Sequence, residues 1–289
     1  MKQEKLNHKI FRTIKYLTEK EYQPKNTVSF LKEIDCTLIE KIRLNNQLHN
    51  QRKISYTSFI IKAVSQAFLE YPFVNARVFP GFPFSKIYKF PEIHTAVACE
   101  KNIPGAEMMA FFDILKNTDS KTIGQINEEL FQLSNSTEEN NEQLKNFMNL
   151  IKKLPVFLSC RICTLPSYFP TLWMKYRGSA VLISSPSKYG VDAVLGTWTH
   201  PIGISFGLVQ KKAIIKNDEV VSALCFTLSM NFDRRIIAGG PAARFFNCIA
   251  TNLMDQNFLN SLVEESFSEK KSSSEKIFAQ IEMIKLIPN

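Results

Sequence analysis

The sequence predicts a single α+β domain, and three observations support that prediction. The chain has 289 residues, 45% of them apolar, which is enough to bury a substantial core. Apolar residues recur at helical spacing through much of the first half of the chain. From Ser179 onward, runs rich in Val, Ile, Phe and Thr follow one another as strands do, before a last helical segment.

The first elements alternate between helix and strand. The segment from Phe11 to Leu17 carries apolar residues at helical spacing, whereas Val28 to Ile34 places them on alternate positions, as in a half-buried strand. Asp35 suits the N-cap of a second helix that carries apolar residues from Leu38 to Leu48. The sequence therefore predicts helix, strand and helix in this order.

The clearest predicted element is a helix with a wide apolar stripe. Ser55 or Thr57 is its expected N-cap, and Pro72 ends it because the residue before a proline disfavours helical geometry. The width of the stripe predicts a buried helix. Its apolar positions are Phe59, Ile60, Ala63, Val64, Ala67 and Phe68.

The middle of the chain mixes short strands with amphipathic helices. Lys86 to Phe90 and Thr95 to Cys99 have the composition of strands. Helical spacing resumes over Ile123 to Leu133 and again over Leu144 to Ile151, and the polar segment Ser134 to Gln143 between them is expected to be a loop or junction.

The second half predicts a run of strands and a closing helix. Asn217-Asp218 marks a hairpin turn between the last two strands, and Pro241 suits the first turn of the final helix. The predicted strands are Ala180–Ser184, Ile202–Val209, Ala213–Lys216 and Val220–Asn231.

Charge and cysteine content exclude several classes of function. The net charge is +9, but the basic residues are dispersed, so we expect no nucleic-acid partner. Cys160 and Cys163 form one C-x-x-C without a second ligand pair, which favours buried structural cysteines over zinc. The apolar stretch Leu154 to Met174 contains Arg161 and prolines and is too interrupted to span a bilayer. Scattered cysteines and no visible secretory signal predict the cytoplasm or another reducing compartment such as the mitochondrial matrix.

Three segments of the chain carry motifs that are informative in combination. They are Lys53–Lys62 with Tyr71–Ala76 after it, then Arg177–Asp192, and last Leu228–Phe245. Together they resemble the catalytic domain of the dihydrolipoamide acyltransferases of 2-oxo acid dehydrogenase complexes. The first is similar to that family's I-S-x-x-D-F-x-I-K-A helix and P-x-x-N turn, and the second to its G-G-T-F-T-I-S-N-x-G-x-x-G-V-D strand and turn. The third resembles its D-H-R-x-x-D-G signature and the A-A-R-F helix that follows.

The resemblance implies a fold, an assembly and a ligand. The fold would be the mixed sheet flanked by helices that the family shares with chloramphenicol acetyltransferase, assembled as trimers with active sites between subunits. The catalytic domain would cover residues 1–267, with a linker and short amphipathic tail at 268–289. No lipoyl domain is visible ahead of it, so we expect no covalently bound cofactor and an acyl group that arrives on coenzyme A or another protein.

The signature motif departs from the family pattern at two positions. Asp233, Arg235 and Gly239 match it, but Arg234 stands at the position of the catalytic histidine and Ala238 at that of the second aspartate. By resemblance, that second carboxylate would fix the loop through an ion pair, for which Arg12 is the candidate cation.

The chemistry of the family depends on the histidine that this chain lacks. By resemblance, the histidine takes the proton of a thiol, and a serine hydroxyl on the signature strand holds the resulting oxyanion. Ser184, and next to it Ser185, are the candidates for that hydroxyl. An arginine guanidinium is protonated at neutral pH and carries no lone pair, so Arg234 cannot act as the base. We expect His94 and His200 to be structural, and His8 and His49 to lie at the surface.

Two hypotheses follow for the function. The first is a catalytically degenerate acyltransferase-fold protein that acts by assembly or by binding acyl carriers, as a homotrimer or a hetero-oligomer with an active relative. The alternative is a divergent, active coenzyme A-dependent acyltransferase in which Arg234 stabilises an anion or grips a phosphate of coenzyme A. Loss of a general base usually lowers a rate by about 10²–10⁴, which favours the first hypothesis.

Overall fold

A computed structural model describes residues 8–21, 26–48, 52–101, 103 and 110–265. Its strands, within these residues, are β1 (Thr27–Asp35), β2 (Ala76–Phe79), β3 (Lys86–Lys89), β4 (Thr95–Glu100), β5 (Ala110–Leu115), β6 (Val181–Ser184), β7 (Ile202–Phe206), β8 (Gln210–Lys216) and β9 (Glu219–Asp233). The helices of the same residues are α1 (His8–Glu21), α2 (Thr37–Leu48), α3 (Tyr56–Glu70), α4 (Ile123–Ser134), α5 (Glu142–Lys153), α6 (Val156–Thr164), α7 (Pro170–Arg177) and α8 (Gly239–Asn252), and residues 256–265 are also helical.

Seven strands form one mixed sheet. Its order is β1-β9-β7-β6-β4-β5, with β8 paired to β9 beyond the end of β7. β6 runs parallel to both β4 and β7, and the other neighbours are antiparallel. β2 and β3 form a separate two-stranded sheet. The predicted α+β fold with a mixed sheet flanked by helices is confirmed.

The main core lies between one face of the sheet and the helices α3 and α8. Side chains alternate across a strand, so Val181 and Ile183 of β6 point to this core and Leu182 and Ser184 point to the opposite face. Phe59, Phe68 and Phe245 are among the largest fully buried side chains of this core. At about 25 cal/mol per Å² of buried apolar surface, such packing is the main stabilising term.

The opposite face of the sheet is covered at its β4–β5 end by α1, α5, α6 and α7. α1 contacts both α5 and α6, and α7 contacts β5. A smaller apolar cluster joins α1 to α5 and contains Ile10, Ile103, Leu144, Met148 and Ile151. The sequence had predicted α5 but neither α6 nor α7.

Several sequence predictions are confirmed in detail. Ser55, not Thr57, is the N-cap of α3, and its hydroxyl accepts a hydrogen bond from the Ser58 N–H at 3.1 Å. Asn217 and Asp218 both have positive φ, 53° and 65°, as the predicted hairpin turn between β8 and β9 requires. The main differences are two strands that were not predicted, β2 and β5.

Other predictions are corrected in position. The predicted strand Ile202–Val209 ends at Phe206, and β8 begins at Gln210 rather than Ala213. The final helix begins at Gly239, so Pro241 lies in its first turn as predicted. Cys160 and Cys163 are free and buried on α6, in agreement with the prediction of buried cysteines. The linker and tail predicted at 268–289 lie outside the described residues, so the boundary at 267 stays a prediction.

Among the residues that the structure describes, no helix is both long and apolar enough to cross a bilayer. Within the same ranges, no group of three His, Cys, Asp or Glu side chains is arranged to hold a metal ion.

Candidate functional site

The signature motif forms a tight loop between β9 and α8. Asp233 ends β9, and its two carboxylate oxygens accept hydrogen bonds from Nε and Nη2 of Arg235 at 3.0 and 2.6 Å. The Arg235 N–H also donates to Asp233 Oδ1 at 2.9 Å. Hydrogen bonding to this carboxylate raises the pKa of Arg235. The two matching residues of the motif therefore hold the loop by a bidentate fork.

Arg234 lies between these two residues in the chain. Its N–H donates to the Asn26 carbonyl at 2.8 Å, but its side chain is exposed and makes no ion pair within the described residues. The position that by resemblance would hold the family histidine thus carries a solvated guanidinium.

Ala238 occupies the N-cap position of α8. It has the extended backbone of an N-cap (φ −75°, ψ 162°) but supplies no side-chain hydrogen bond. An aspartate at this position, as in the family motif, would cap the helix. The proposed cation for that carboxylate, Arg12, is an exposed residue of α1. Gly239 follows as the first helical residue, and a Cβ there would meet open space.

Ser184 and Ser185 end the central strand β6 but have different surroundings. Ser185 Oγ donates to the Phe206 carbonyl at 2.9 Å and accepts from the Ser187 N–H at 3.2 Å, so this hydroxyl shapes the turn. Ser184 is half-buried, and within the described ranges its hydroxyl has no hydrogen-bond partner. Of the two candidates, Ser184 is the one free to bind a ligand.

The sheet register separates Ser184 from the motif loop. Ser184 pairs with Ser205 and Ser205 with Ser229, which lies four residues before Asp233 on β9. At about 3.3 Å per residue and about 4.8 Å per strand spacing, the offset is about 13 Å along the strands and about 10 Å across them. The two halves of the predicted site therefore lie roughly 16 Å apart in one chain.

His200 is buried near the motif loop and is fully hydrogen-bonded. Its Nε2 lies 2.7 Å from the Arg177 carbonyl, which can only accept, so Nε2 donates and Nδ1 accepts from the Thr199 hydroxyl at 2.9 Å. Burial lowers the pKa of His200 to about 3, so the ring is neutral. It has no free nitrogen with which to take a proton from a thiol.

His94 is also engaged by its neighbours. Its Nδ1 accepts from the Asn117 N–H at 3.2 Å, and its Nε2 lies 3.0 Å from Glu92 Oε2. Burial lowers the pKa of this imidazole. His49 lies outside the described residues, as does the side chain of His8. Neither of the two described imidazoles replaces the missing base.

A polar cluster that the sequence did not predict lies beside the motif loop. Glu21 is almost fully buried and accepts from Arg177 Nη2 at 3.1 Å. Arg77 stacks on the Trp173 ring at 3.7 Å, and burial lowers the pKa of this guanidinium to about 10. Glu21, Arg77, His200, Asp233 and Arg235 line one small cavity of about 20 Å³. The cluster joins α1 and β2 to the start of β7.

A much larger cavity, of about 760 Å³, lies on the Ser184 side of the sheet. Leu182 and Ser184 of β6 form part of its floor, and residues of α1, α5, α6 and α7 form much of its wall. Trp198 lines the same cavity and lies flat on β7, where a Cβ on Gly203 would come within 2.3 Å of its ring. Gly203 thus makes room for this indole.

A model of the 2-oxoacid dehydrogenases acyltransferase family, catalytic domain, matches residues 5–150 and 174–260. The chain belongs to this acyltransferase family. The stretch that the acyltransferase family model leaves unmatched, 151–173, contains the whole of α6 and the first half of α7. These are helices that cover the large cavity.

Bacterial members of the acyltransferase family are similar over most of the chain. The acetyltransferase component of the pyruvate dehydrogenase complex of Buchnera aphidicola (Schizaphis graminum) is 26% identical over 242 residues, covering 78% of this chain and 50% of that protein. The corresponding Bacillus subtilis component is 22% identical, covering 80% of this chain and 46% of that protein. The chain spans about half the length of these relatives.

Solved structures confirm the acyltransferase fold. A probable dihydrolipoamide acetyltransferase from Listeria monocytogenes superposes with a TM-score of 0.63 at 20% identity, covering 88% of this chain and 94% of that one. An Azotobacter vinelandii dihydrolipoamide acetyltransferase, studied for the catalytic roles of a serine, a histidine and an asparagine, gives 0.66 at 16% identity, covering 91% and 94%. At these identities the likeness shows the fold alone.

Proposed function

We propose that this chain is a catalytically degenerate member of the acyltransferase family that acts by assembly and by binding acyl carriers. The observation that carries the proposal is the exposed guanidinium of Arg234 at the position of the family base. Both described histidines are held by other partners, so no imidazole of the described residues compensates for it.

The separation of Ser184 from the motif loop supports an assembly in which subunits share a site. In the family, by resemblance, active sites lie between subunits, and here the two halves are roughly 16 Å apart in one chain. A homotrimer of this chain would pair each Ser184 with an Arg234. A mixed oligomer with an active relative would instead pair Ser184 with the relative's histidine, so this chain would complete a working site as the serine donor.

One observation favours the alternative, a divergent coenzyme A-dependent acyltransferase. The Arg234 guanidinium has no carboxylate partner among the described residues, so it is free to bind a phosphate or an oxyanion. In this case the reaction would proceed with an acceptor that needs little help from a base.

Transfer of acetyl groups between coenzyme A and dihydrolipoamide distinguishes the two functions. We expect the unmodified chain to show no transfer above the uncatalysed rate, and the double variant Arg234→His/Ala238→Asp to gain about 10²-fold or more, because it restores a base and a cap for its loop. The Arg234→His/Ala238→Asp variant with Ser184→Ala added is the matched control and should lose the gain. Transfer by the unmodified chain at an enzyme's rate, abolished by Arg234→Ala, would establish the alternative instead.

A further inference from the structure

We propose that the large cavity above β6 binds an apolar acyl chain much longer than acetyl, with the acyl carbonyl at Ser184. The inference deepens the proposed acyl-carrier binding and rests on it for the source of the ligand. The argument depends on the position, lining and size of the cavity.

The floor of the cavity is the face of the sheet that points away from the main core. Ala98 of β4, Phe112 of β5 and Leu182 of β6 line it, and Ala98 and Phe112 are register partners. Ser184 lies two residues beyond Leu182 on the same face of the same strand. A chain lying along β6 would therefore contact apolar side chains and reach a hydroxyl at one end.

The roof of the cavity combines helices that the family model matches with a stretch that it does not match. Ile162 of α6 and Leu172 of α7 line it and fall in the unmatched stretch 151–173. Phe147 and Leu150 of the preceding helix α5 complete an apolar wall. An apolar cover thus lies over the sheet face that holds Ser184.

The size of the cavity is out of proportion to an acetyl group. Its volume of about 760 Å³ lies within the range of ligand pockets in general, about 300–1,000 Å³. An acetyl group occupies roughly twice the ~30 Å³ share of one water molecule. A pocket of this volume and lining is suited to an apolar ligand of many carbon atoms.

The charged residues in the wall do not favour a charged ligand, because each has an opposite charge beside it. Glu21 pairs with Arg177 at 3.1 Å, and Asp113 with Lys101 at 2.7 Å. The Ser184 hydroxyl and the buried Nε of Arg177 are among the donors in the lining that lack a partner within the described chain. A neutral ligand with one oxygen acceptor, such as an acyl thioester, suits this environment better than a free anion.

The test is a titration of the full chain with coenzyme A, acetyl-, octanoyl- and palmitoyl-coenzyme A, followed by calorimetry. Each buried methylene adds apolar contact, so we expect the dissociation constant to tighten by about tenfold or more from acetyl to octanoyl and again to palmitoyl. Ala98→Phe places a ring in the floor and should remove this dependence. Ala213→Phe, at an exposed position of β8, is the matched control and should leave it unchanged.

The outcomes separate this inference from the proposed function. The cavity assignment is overturned if the chain binds coenzyme A and all three thioesters with equal affinity. It is also overturned if Ala98→Phe binds palmitoyl-coenzyme A as tightly as the unmodified chain does. In both cases acyl-carrier binding stands. If Ala98→Phe does not fold, Leu172→Trp in the roof decides in the same way. Chain-length dependence in a protein that also transfers acetyl groups would retain the cavity assignment and refute the degenerate function.

Discussion

At the residue scale, the loss of one carboxylate has a consequence for stability apart from any chemistry. Ala238 has the backbone of an N-cap but no side chain that can accept the free N–H groups at the start of α8. The family aspartate would do so and would also meet the positive end of the helix dipole. Compared with the family motif that it resembles, this loop therefore lacks a helix cap as well as a histidine.

Restoring that carboxylate should stabilise the protein. We expect Ala238→Asp to raise the free energy of unfolding by about 1 kcal/mol, measured by urea denaturation, because N-cap aspartates contribute about 0.5–2 kcal/mol. Ala243→Asp, an exposed position within α8, adds the same charge without a cap and should not stabilise the protein. Equal effects of the two substitutions would show that position 238 is not a cap.

His200 gives the fold a defined dependence on pH. Burial lowers the pKa of His200 from its ordinary 6.5 to about 3, so between these values the unfolded chain binds a proton that the folded chain does not. The free energy of unfolding therefore falls as the pH is lowered from 6.5 towards 3. His94, whose pKa burial also lowers, contributes with the same sign.

Replacing His200 should reduce this dependence. We expect His200→Gln to have a lower melting temperature at pH 7, where the Thr199 and Arg177 contacts are lost, but a smaller decrease between pH 6.5 and 4 than the unmodified chain. The pH dependence of the melting temperature that remains in this variant comes from His94 and the carboxylates. A decrease as steep as that of the unmodified chain would contradict a neutral, buried His200.

At the element scale, a helix or strand could be predicted when the contacts that stabilise it join residues close together in the sequence. The apolar stripe of α3 and its Ser55 cap could be predicted because both are local in sequence. The helices α6 and α7 were not predicted because Pro155 and Pro170 were interpreted as interruptions of an apolar run. In the structure, Pro155 is the N-cap residue of α6 and Pro170 begins α7. β5 was missed because its central Asp113 breaks the apolar alternation and is buried only through distant partners.

The same distinction between local and distant contacts decided which parts of the candidate site could be predicted. Ser184 and the motif loop could be located from sequence because the family motifs fix their register. The Glu21–Arg177 pair could not, since its two members lie 156 residues apart and nothing local signals the contact. The large cavity needed the three-dimensional arrangement of α5 to α7, two of which the sequence did not predict.

One buried ion pair ties four elements together. Lys101 Nζ lies 2.7 Å from Asp113 Oδ2 of β5 and also donates to the Leu133 carbonyl of α4. Asp113 Oδ1 accepts from the Asn141 side chain at 2.6 Å, and Asn141 caps α5. The two charged side chains are only 2% and 4% exposed, so removing either leaves the other charge buried and unpaired.

Lys101→Met should therefore be strongly destabilising. We expect Lys101→Met to lower the free energy of unfolding by about 3–5 kcal/mol. The double variant Lys101→Met/Asp113→Leu should lose less than the sum of the losses of the two single variants. Lys188→Met, in the exposed pair with Glu100, is the control and should lose about 0–1 kcal/mol. A Lys101→Met variant as stable as this control would show that the buried pair does not hold these elements.

At the scale of the whole molecule, the central sheet has one apolar and one partly polar face. Ser184, Ser205 and Ser229 lie side by side on the face away from α3 and α8. The segment after β6 covers part of this row, since Ser229 Oγ donates to the Val194 carbonyl at 2.8 Å. Because Ser184 lies roughly 16 Å from the motif loop in the same sheet, one chain cannot bring Ser184 and position 234 together without moving its core.

If the site is shared between subunits, two inactive variants should restore activity to each other, whereas a site within one chain would not allow this. In the Arg234→His/Ala238→Asp background, Ser184→Ala should remove acetyl transfer. The unmodified chain is expected to be inactive because of Arg234. Co-refolding these two inactive chains should restore part of the transfer, because some interfaces then join an intact Ser184 from one chain to His at position 234 of the other.

The same mixture provides its own control for assembly. Light scattering should give a native mass of about 99 kDa, three times the 33.1 kDa of the chain. Two inactive chains refolded separately and then mixed should regain transfer only as fast as subunits exchange. If a mixture shown to be trimeric recovers no acetyl transfer, the serine and the residue at position 234 act within one chain. The register of β6, β7 and β9 does not allow this without a rearranged sheet.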